Sequence, residues 1–280
     1  MLIVLAVLAA VIGFGMLGYL RLEREERADA LDSPVKVPMW VDPSTVQHHP
    51  RFRFSFDPPE ALARFRIEEQ LDQVVASAKT DEQAFRLLNS WTSNQWEQSA
   101  PNPYPPPDAL VILSDIRAGR TGGFCAQYSF VLSQAIQSFG APARLVTIRG
   151  HIVVEAWLRD EGRWVVLDPA YDLQVVDEKG SSLNAFEIRT AFNRGDTLAL
   201  TPGHSCPFDS DSYLDSYDEI GVWIRNDFIS RPINYNDIPR YLVWYDPPSD
   251  LPLAVHALRT SFAVDLWDHP SMLTAQHPAN

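Results

Sequence analysis

Residues 151–168, HIVVEAWLRDEGRWVVLD, constrain the fold of this chain more than any other stretch. Two runs rich in β-branched and aromatic residues flank RDEG, whose composition is that of a hairpin turn. A two-residue loop at Asp160-Glu161 puts Ile152, Val154, Ala156 and Leu158 on one face with Val165 and Leu167. That face is uniformly apolar and is expected to pack on the core. The open face then carries His151, Val153, Glu155 and Trp157 with Trp164, Val166 and Asp168. In this register Asp168 lies opposite Val153, one diagonal step from His151, at roughly 7–8 Å between backbones. A slip of one residue would bury both polar groups, so the apolar face enforces the pairing.

Upstream, GRTGGFCAQYSF (119–130) places Cys125 directly after Gly122, Gly123 and Phe124. From Phe124 the apolar positions Val131, Leu132, Ala135, Ile136 and Phe139 recur at three- and four-residue steps, which predicts a buried-face helix. Gly140 stands where a left-handed residue ends a helix, and Pro142 follows. Cys125 thus falls in the first turn, where unpaired N–H groups stabilise a thiolate. The two glycines are expected to keep side chains away, so that a substrate backbone approaches the sulfur closely. The N–H of Cys125 is positioned to donate to a developing oxyanion. Two cysteines are too few for a disulfide framework in 280 residues. A single Cys125–Cys206 bridge is the competing structural reading, and it would silence the thiol.

The ordered set GGFCAQYSFVLSQAIQSFGAPARLV followed by GHIVVEAWLRDEGRWVVLDPAYDL resembles the core of the transglutaminase-like superfamily. The parts that carry the resemblance are Cys125, Gly140, Arg144, His151, Glu155, Trp164, Asp168 and Pro169, over about residues 80–172. The resemblance implies an α+β fold, a papain-like core with helices packed on an antiparallel sheet. It also implies a thiol mechanism: Cys125 attacks a carbonyl carbon, His151 takes and returns the proton, and Asp168 orients the imidazole. A thioester would pass its acyl group to water or to an amine, and the substrate would be a protein, peptide or glycopeptide amide. In relatives the second oxyanion donor is often a side chain upstream of the cysteine, and Trp91, Gln95 and Trp96 are the candidates. Glu155 reads as a supporting or structural residue rather than a catalyst, and Arg144 as the partner of an acidic neighbour rather than a substrate binder. A non-catalytic binding or assembly module on the same fold is the alternative.

The rest of the chain sets the context. The run MLIVLAVLAAVIGFGMLGYL (1–20) carries no charge and is long enough to cross a membrane, so a single-pass anchor is expected. Arg21, Arg24 and Arg27 follow it, which by the positive-inside rule places the soluble part in the cytoplasm. Anchored domains with enzyme-like sequences often face outward, so the side is open. Residues 21–58 read as a juxtamembrane linker, 59–175 as the core, and 176–280 as an irregular, aromatic-rich C-terminal extension packing on it.

PPEALARFRIEEQLDQVVASA reads as one helix, with Leu62, Phe65, Ile67, Leu71, Val74 and Val75 as its apolar positions and Pro58-Pro59 in its first turn. A second helix opens at Thr80, and Asp108 caps a third after the loop PNPYPPPD. Strands are expected at LVTIR, YLVWY and GVWIR. The tail aromatics Trp223, Tyr235, Tyr241, Trp244, Tyr245 and Trp267 are expected to serve core and lid packing. DSDSYLDSYDE lacks the spacing of a calcium loop and reads as a solvated loop. The formal charge of −13 argues against a nucleic-acid partner. The other histidines, His48-His49 and His204 among them, show no ligand spacing, so neither metal nor cofactor is expected.

Overall fold

The computed structural model describes residues 52–201, 209–233, 235–251, 253 and 257–267. The apolar run 1–20, most of the linker, His48-His49, His204 and Cys206 lie outside them, and so does the Cys125–Cys206 pairing. Among the described residues no helix is long and apolar enough to cross a membrane.

The first expected helix is two: α1 (Ala63–Glu68) and α2 (Leu71–Val74), with Pro58 and Pro59 ahead of both. Gln70 breaks the pair at φ 53°. In an unbroken helix the six-residue step from Phe65 to Leu71 would set these side chains about 120° apart around the axis. The break lets both reach the core, where each is buried, while Ile67, counted in the apolar stripe, is 73% exposed. Next come α3 (Asp81–Ser93) and α4 (Ala109–Arg117). Thr80 Oγ1 caps the former by accepting from Gln83 N at 3.2 Å, and Asp108 Oδ1 the latter from Leu110 N at 2.9 Å. The cysteine helix α5 (Cys125–Gln137) ends as its sequence predicts, with Gly140 in the left-handed region at φ +77°.

A six-stranded sheet carries the core. After a short strand β1 (Ser55–Phe56) come β2 (Ala143–Ile148), β3 (His151–Leu158) and β4 (Arg163–Leu167). The tail adds a ribbon, β5 (Gln174–Val176) with β6 (Ala199–Thr201), then β7 (Ile220–Trp223), β8 (Arg225–Asn226), β9 (Leu242–Tyr245) and β10 (Leu258–Thr260). The order in the main sheet is β10-β9-β7-β2-β3-β4, antiparallel except between β9 and β10. The extension is therefore not irregular. Its strands continue the core sheet from β2, because the backbone of β2 on that side needs partners and GVWIR and YLVWY are hydrophobic enough to supply them. Among the described residues it also holds the α-helices α6 (Ala185–Arg194), α7 (Ser210–Asp215) and α8 (Val264–Trp267).

One face of the sheet packs under α3, α4 and α5. Leu145, Val154, Ala156, Leu158, Val165 and Leu167 meet Phe130, Leu132 and Ile136 there. The hairpin's apolar face is thus the expected one. Its other face is not open: Val153, Glu155, Trp164, Val166 and Asp168 are all buried. Residues of β5, α6, α7 and the segment around Leu266 cover it in a second cluster. Trp267 packs against this second cluster and Trp223 is buried in the first, the packing role expected of the tail aromatics. The side chain of Tyr235 lies outside the described part.

Candidate active site

Local structure alone delivers the three side chains to neighbouring ends of their elements. Cys125 is the first residue of α5, His151 the first of β3, and Asp168 follows the last residue of β4. In the hairpin Val154 pairs with Leu167 and Trp157 with Trp164. That ladder, continued by one pair, sets Val153 against Asp168, the register its apolar face requires. The turn differs: the last pair is Leu158 with Arg163, and Gly162 closes the loop at φ +69°. One turn along α5 from Cys125, Ser129 Oγ donates to Ile152 O at 3.0 Å and ties the helix start to the strand that bears His151.

Asp168 sits in a cage of donors. His151 Nε2 lies 2.8 Å from Asp168 Oδ2, and the carboxylate is fully buried. Ala170 N donates to Oδ1 at 3.0 Å, and the hydroxyl of Tyr213 donates to Oδ2 at 2.9 Å. Nε2 faces Asp168, and Cys125 adjoins the imidazole closely enough to favour its charged form. The ring of Tyr171 stacks on His151 at 5.3 Å between centroids. The loop that holds Tyr171 is anchored in turn: Asp172, at φ 53°, accepts from Asn89 Nδ2 at 2.9 Å and Ser90 Oγ at 2.8 Å. Gln98 Nε2 also donates to Ala170 O at 2.9 Å.

This environment decides the charge of the imidazole. Burial pulls the His151 pKa down, but the charge and hydrogen bond of Asp168 and the adjoining Cys125 outweigh it and raise the value from 6.5 to about 10. A histidine held charged in this way stabilises the fold fully below pH 6.5, and the contribution fades as pH rises through about 10. The urea midpoint is therefore expected to decline over this alkaline window. Asp168→Asn is expected to flatten the decline, and an identical slope in the variant would show that the pair is not the source.

The glycines before Cys125 do a different job from the one their sequence suggests. A Cβ on Gly123 would come within 2.7 Å of Ile116 Cδ1 and 2.8 Å of Trp96 Nε1, and one on Gly122 within 2.7 Å of Ala100 O. The chain's own segment 96–100, not a substrate, makes the close approach. Ser99 N donates to Gly123 O at 2.9 Å, and Trp96 Nε1 to the same oxygen at 3.2 Å. Trp96 thus spends its indole N–H on holding the helix entry. Gln95 Nε2 donates to Trp91 O at 2.8 Å, and the Trp91 ring packs on Phe65. The residue that the loop PNPYPPPD brings beside Cys125 is Tyr104, edge-on to Phe124 at 6.0 Å. Burial pushes the Tyr104 hydroxyl up to about 12, with the Gln127 amide opposing and Cys125 adding to the rise. Thr121 secures this loop by accepting from Asn102 N at 2.9 Å and donating to Pro103 O at 2.7 Å.

Residues 68–169 match the family model of the transglutaminase-like superfamily. This segment is a transglutaminase-like domain. Comparison with curated proteins and with solved structures returned no match. The transglutaminase-like segment holds Cys125, His151 and Asp168, and it ends at Pro169. Tyr171, Tyr213 and Tyr217 lie beyond it, and sequence reasoning missed all three. DSDSYLDSYDE, expected as a solvated loop, is the source of the last two: Asp209 caps α7 by accepting from Ser212 N at 2.9 Å, and both tyrosines are buried. Their four-residue spacing is the helical signal that the acidic residues around them masked.

Arg144 and Glu155 of the transglutaminase-like segment are structural, as expected. Both are fully buried, and Arg144 Nε and Nη2 donate to Glu155 Oε2 at 2.9 and 2.6 Å. The guanidinium lies 4.0 Å from the Trp164 ring centroid.

Proposed function

We propose that this protein cleaves an amide bond through a thioester on Cys125 and passes the acyl group to water or to an amine. The convergence of Cys125, His151 and Asp168, separated by 26 and 17 residues in the chain, carries the reading. Asp168 favours the imidazolium, so His151 is the group that takes the thiol proton as Cys125 attacks. Sulfur adds to the carbonyl carbon, and the oxygen takes up negative charge facing the N–H of Cys125, a first-turn amide with no acceptor within its helix. The C–N bond breaks as the imidazolium protonates the leaving amine. His151, now neutral, removes a proton from the incoming water or amine, and the second tetrahedral intermediate expels the thiolate. Asp168 keeps the ring oriented throughout and is not itself protonated. The substrate class supported is a protein, peptide or glycopeptide amide. The uncharged run 1–20 supports a location at a membrane.

The test is the pH profile of Cys125 alkylation by iodoacetamide, followed by mass mapping so that Cys206 is scored separately. An activated thiolate is expected to react at near-full rate well below the ordinary thiol pKa of about 8.5. A profile centred on that value would overturn the reading and leave a non-catalytic module.

A further inference from the structure

Tyr213 and Tyr217 enter the site from outside the transglutaminase-like segment, and neither has a part in the reaction just described. Tyr213 is on α7 and Tyr217 in the helical turn Ser216–Asp218 that follows it. The two hydroxyls are 3.3 Å apart, and that of Tyr213 is 2.9 Å from Asp168 Oδ2. An ionised carboxylate only accepts, so the single proton of Tyr213 points to Asp168. Tyr213 must then accept from Tyr217. The result is a one-way chain, Tyr217 to Tyr213 to Asp168, ending on the oxygen that also faces His151 Nε2. Burial holds both phenols far above their ordinary pKa, so the chain donates across the whole working range. Its placement is fixed from the neighbouring turn: Arg149 N donates to Ser216 O at 2.9 Å, two residues before His151, and Arg149 ion-pairs with Asp215 and Glu219 on either side.

We propose that this hydroxyl relay, supplied by the C-terminal extension, is a positioning device that moderates the grip of Asp168 on the imidazolium. The proposal rests on the thiol reading for its purpose, though not for its physics. A donor to a carboxylate binds most strongly when that carboxylate's charge is uncompensated, here when His151 is neutral. By linkage, Tyr213 stabilises the neutral-histidine state over the charged one and lowers the His151 pKa relative to what Asp168 alone would impose. An imidazolium held too tightly would surrender its proton slowly to a leaving amine, and the relay keeps that proton available. The groups facing the pair are Cys125 from α5, Tyr213 and Tyr217 from the extension, the N–H of Ala170, and the ring of Tyr171. Glu155 lies farther along β3 and is neutralised by Arg144.

The experiment is NMR titration of the His151 ring in the full chain, comparing wild type, Tyr213→Phe, Tyr217→Phe, Asp168→Asn and Tyr213→Phe/Asp168→Asn. Tyr213→Phe is expected to raise the His151 pKa by about one unit, a tenfold tighter hold on the proton, with thermal stability little changed. Tyr217→Phe is expected to raise it by less. In the Asp168→Asn background the effect of Tyr213→Phe should vanish, since the hydroxyl acts only through the carboxylate. An unchanged or lowered His151 pKa in both tyrosine variants would overturn the relay, because lost packing alone loosens Asp168 and lowers the value. Should Tyr213→Phe fail to fold, Tyr217→Phe decides, since it leaves the Tyr213–Asp168 contact in place. The readout does not depend on turnover. A raised pKa beside an ordinary alkylation profile for Cys125 would keep the relay and reject the thiol reading.

Discussion

Cys125→Ala protein is expected to fold normally and to form no acyl adduct at all. Removing the nucleophile from a thiol or serine triad costs about four orders of magnitude or more in turnover, because the remaining members have nothing to activate. Here the side chain is only half-buried and lies beside His151. Alanine is the best helix former, and position 125 opens a helix. The change in stability is therefore expected to stay within about 1 kcal/mol. The measurement is mass spectrometry of the protein after incubation with a panel of acyl-amide peptides, run beside thermal unfolding. Adduct on wild type and none on the variant, at matched melting temperature, is the result the mechanism requires. Equal adduct on both proteins would place the chemistry elsewhere.

The second large effect falls on stability. Arg144→Met is expected to cost about 3–5 kcal/mol, the range for removing one partner of a buried ion pair. The loss is large because Glu155 stays behind, fully buried and without its cation. The pair is also a junction for the extension. Glu155 Oε1 accepts from Ala185 N at 2.8 Å and Trp267 Nε1 at 2.9 Å, and Arg144 Nη1 donates to Leu266 O at 2.6 Å. Loosening it frees the elements that cover the second face of the sheet. Burial pulls the arginine's pKa down and Glu155 only partly restores it, which reflects the cost of keeping this charge inside. Arg144→Met combined with Glu155→Leu is expected to recover a good part of the loss, since no orphaned charge remains. Urea unfolding of the two variants checks both points, and a single variant as stable as wild type would refute the account.

Several features of the site were legible because they depend on short-range periodicity. The hairpin register follows from alternation on one face, so the approach of Asp168 to His151 could be read without coordinates. The same holds for the helix that starts at Cys125, whose apolar spacing and Gly140 stop mark both ends. Long-range packing was not legible in this way. Gly122 and Gly123 looked like room for a substrate, and the structure fills that room with Ser99, Ala100 and Trp96. The helix over residues 62–75 looked continuous, and the need to bury both Phe65 and Leu71 breaks it at Gln70.

The amino-acid sequence by itself determined which three residues converge, because helix start, strand pairing and turn are set by neighbours within a few residues. Only the tertiary structure decided what surrounds them. The face of the hairpin that bears His151 and Asp168 would be half-solvated in the isolated core. Strands and helices contributed from residue 174 onward bury it. Tyr213 reaches Asp168 across 45 residues and Leu266 reaches Arg144 across 122. Contacts at such separations leave no periodic trace in a sequence, because their partners are chosen by how complete elements pack.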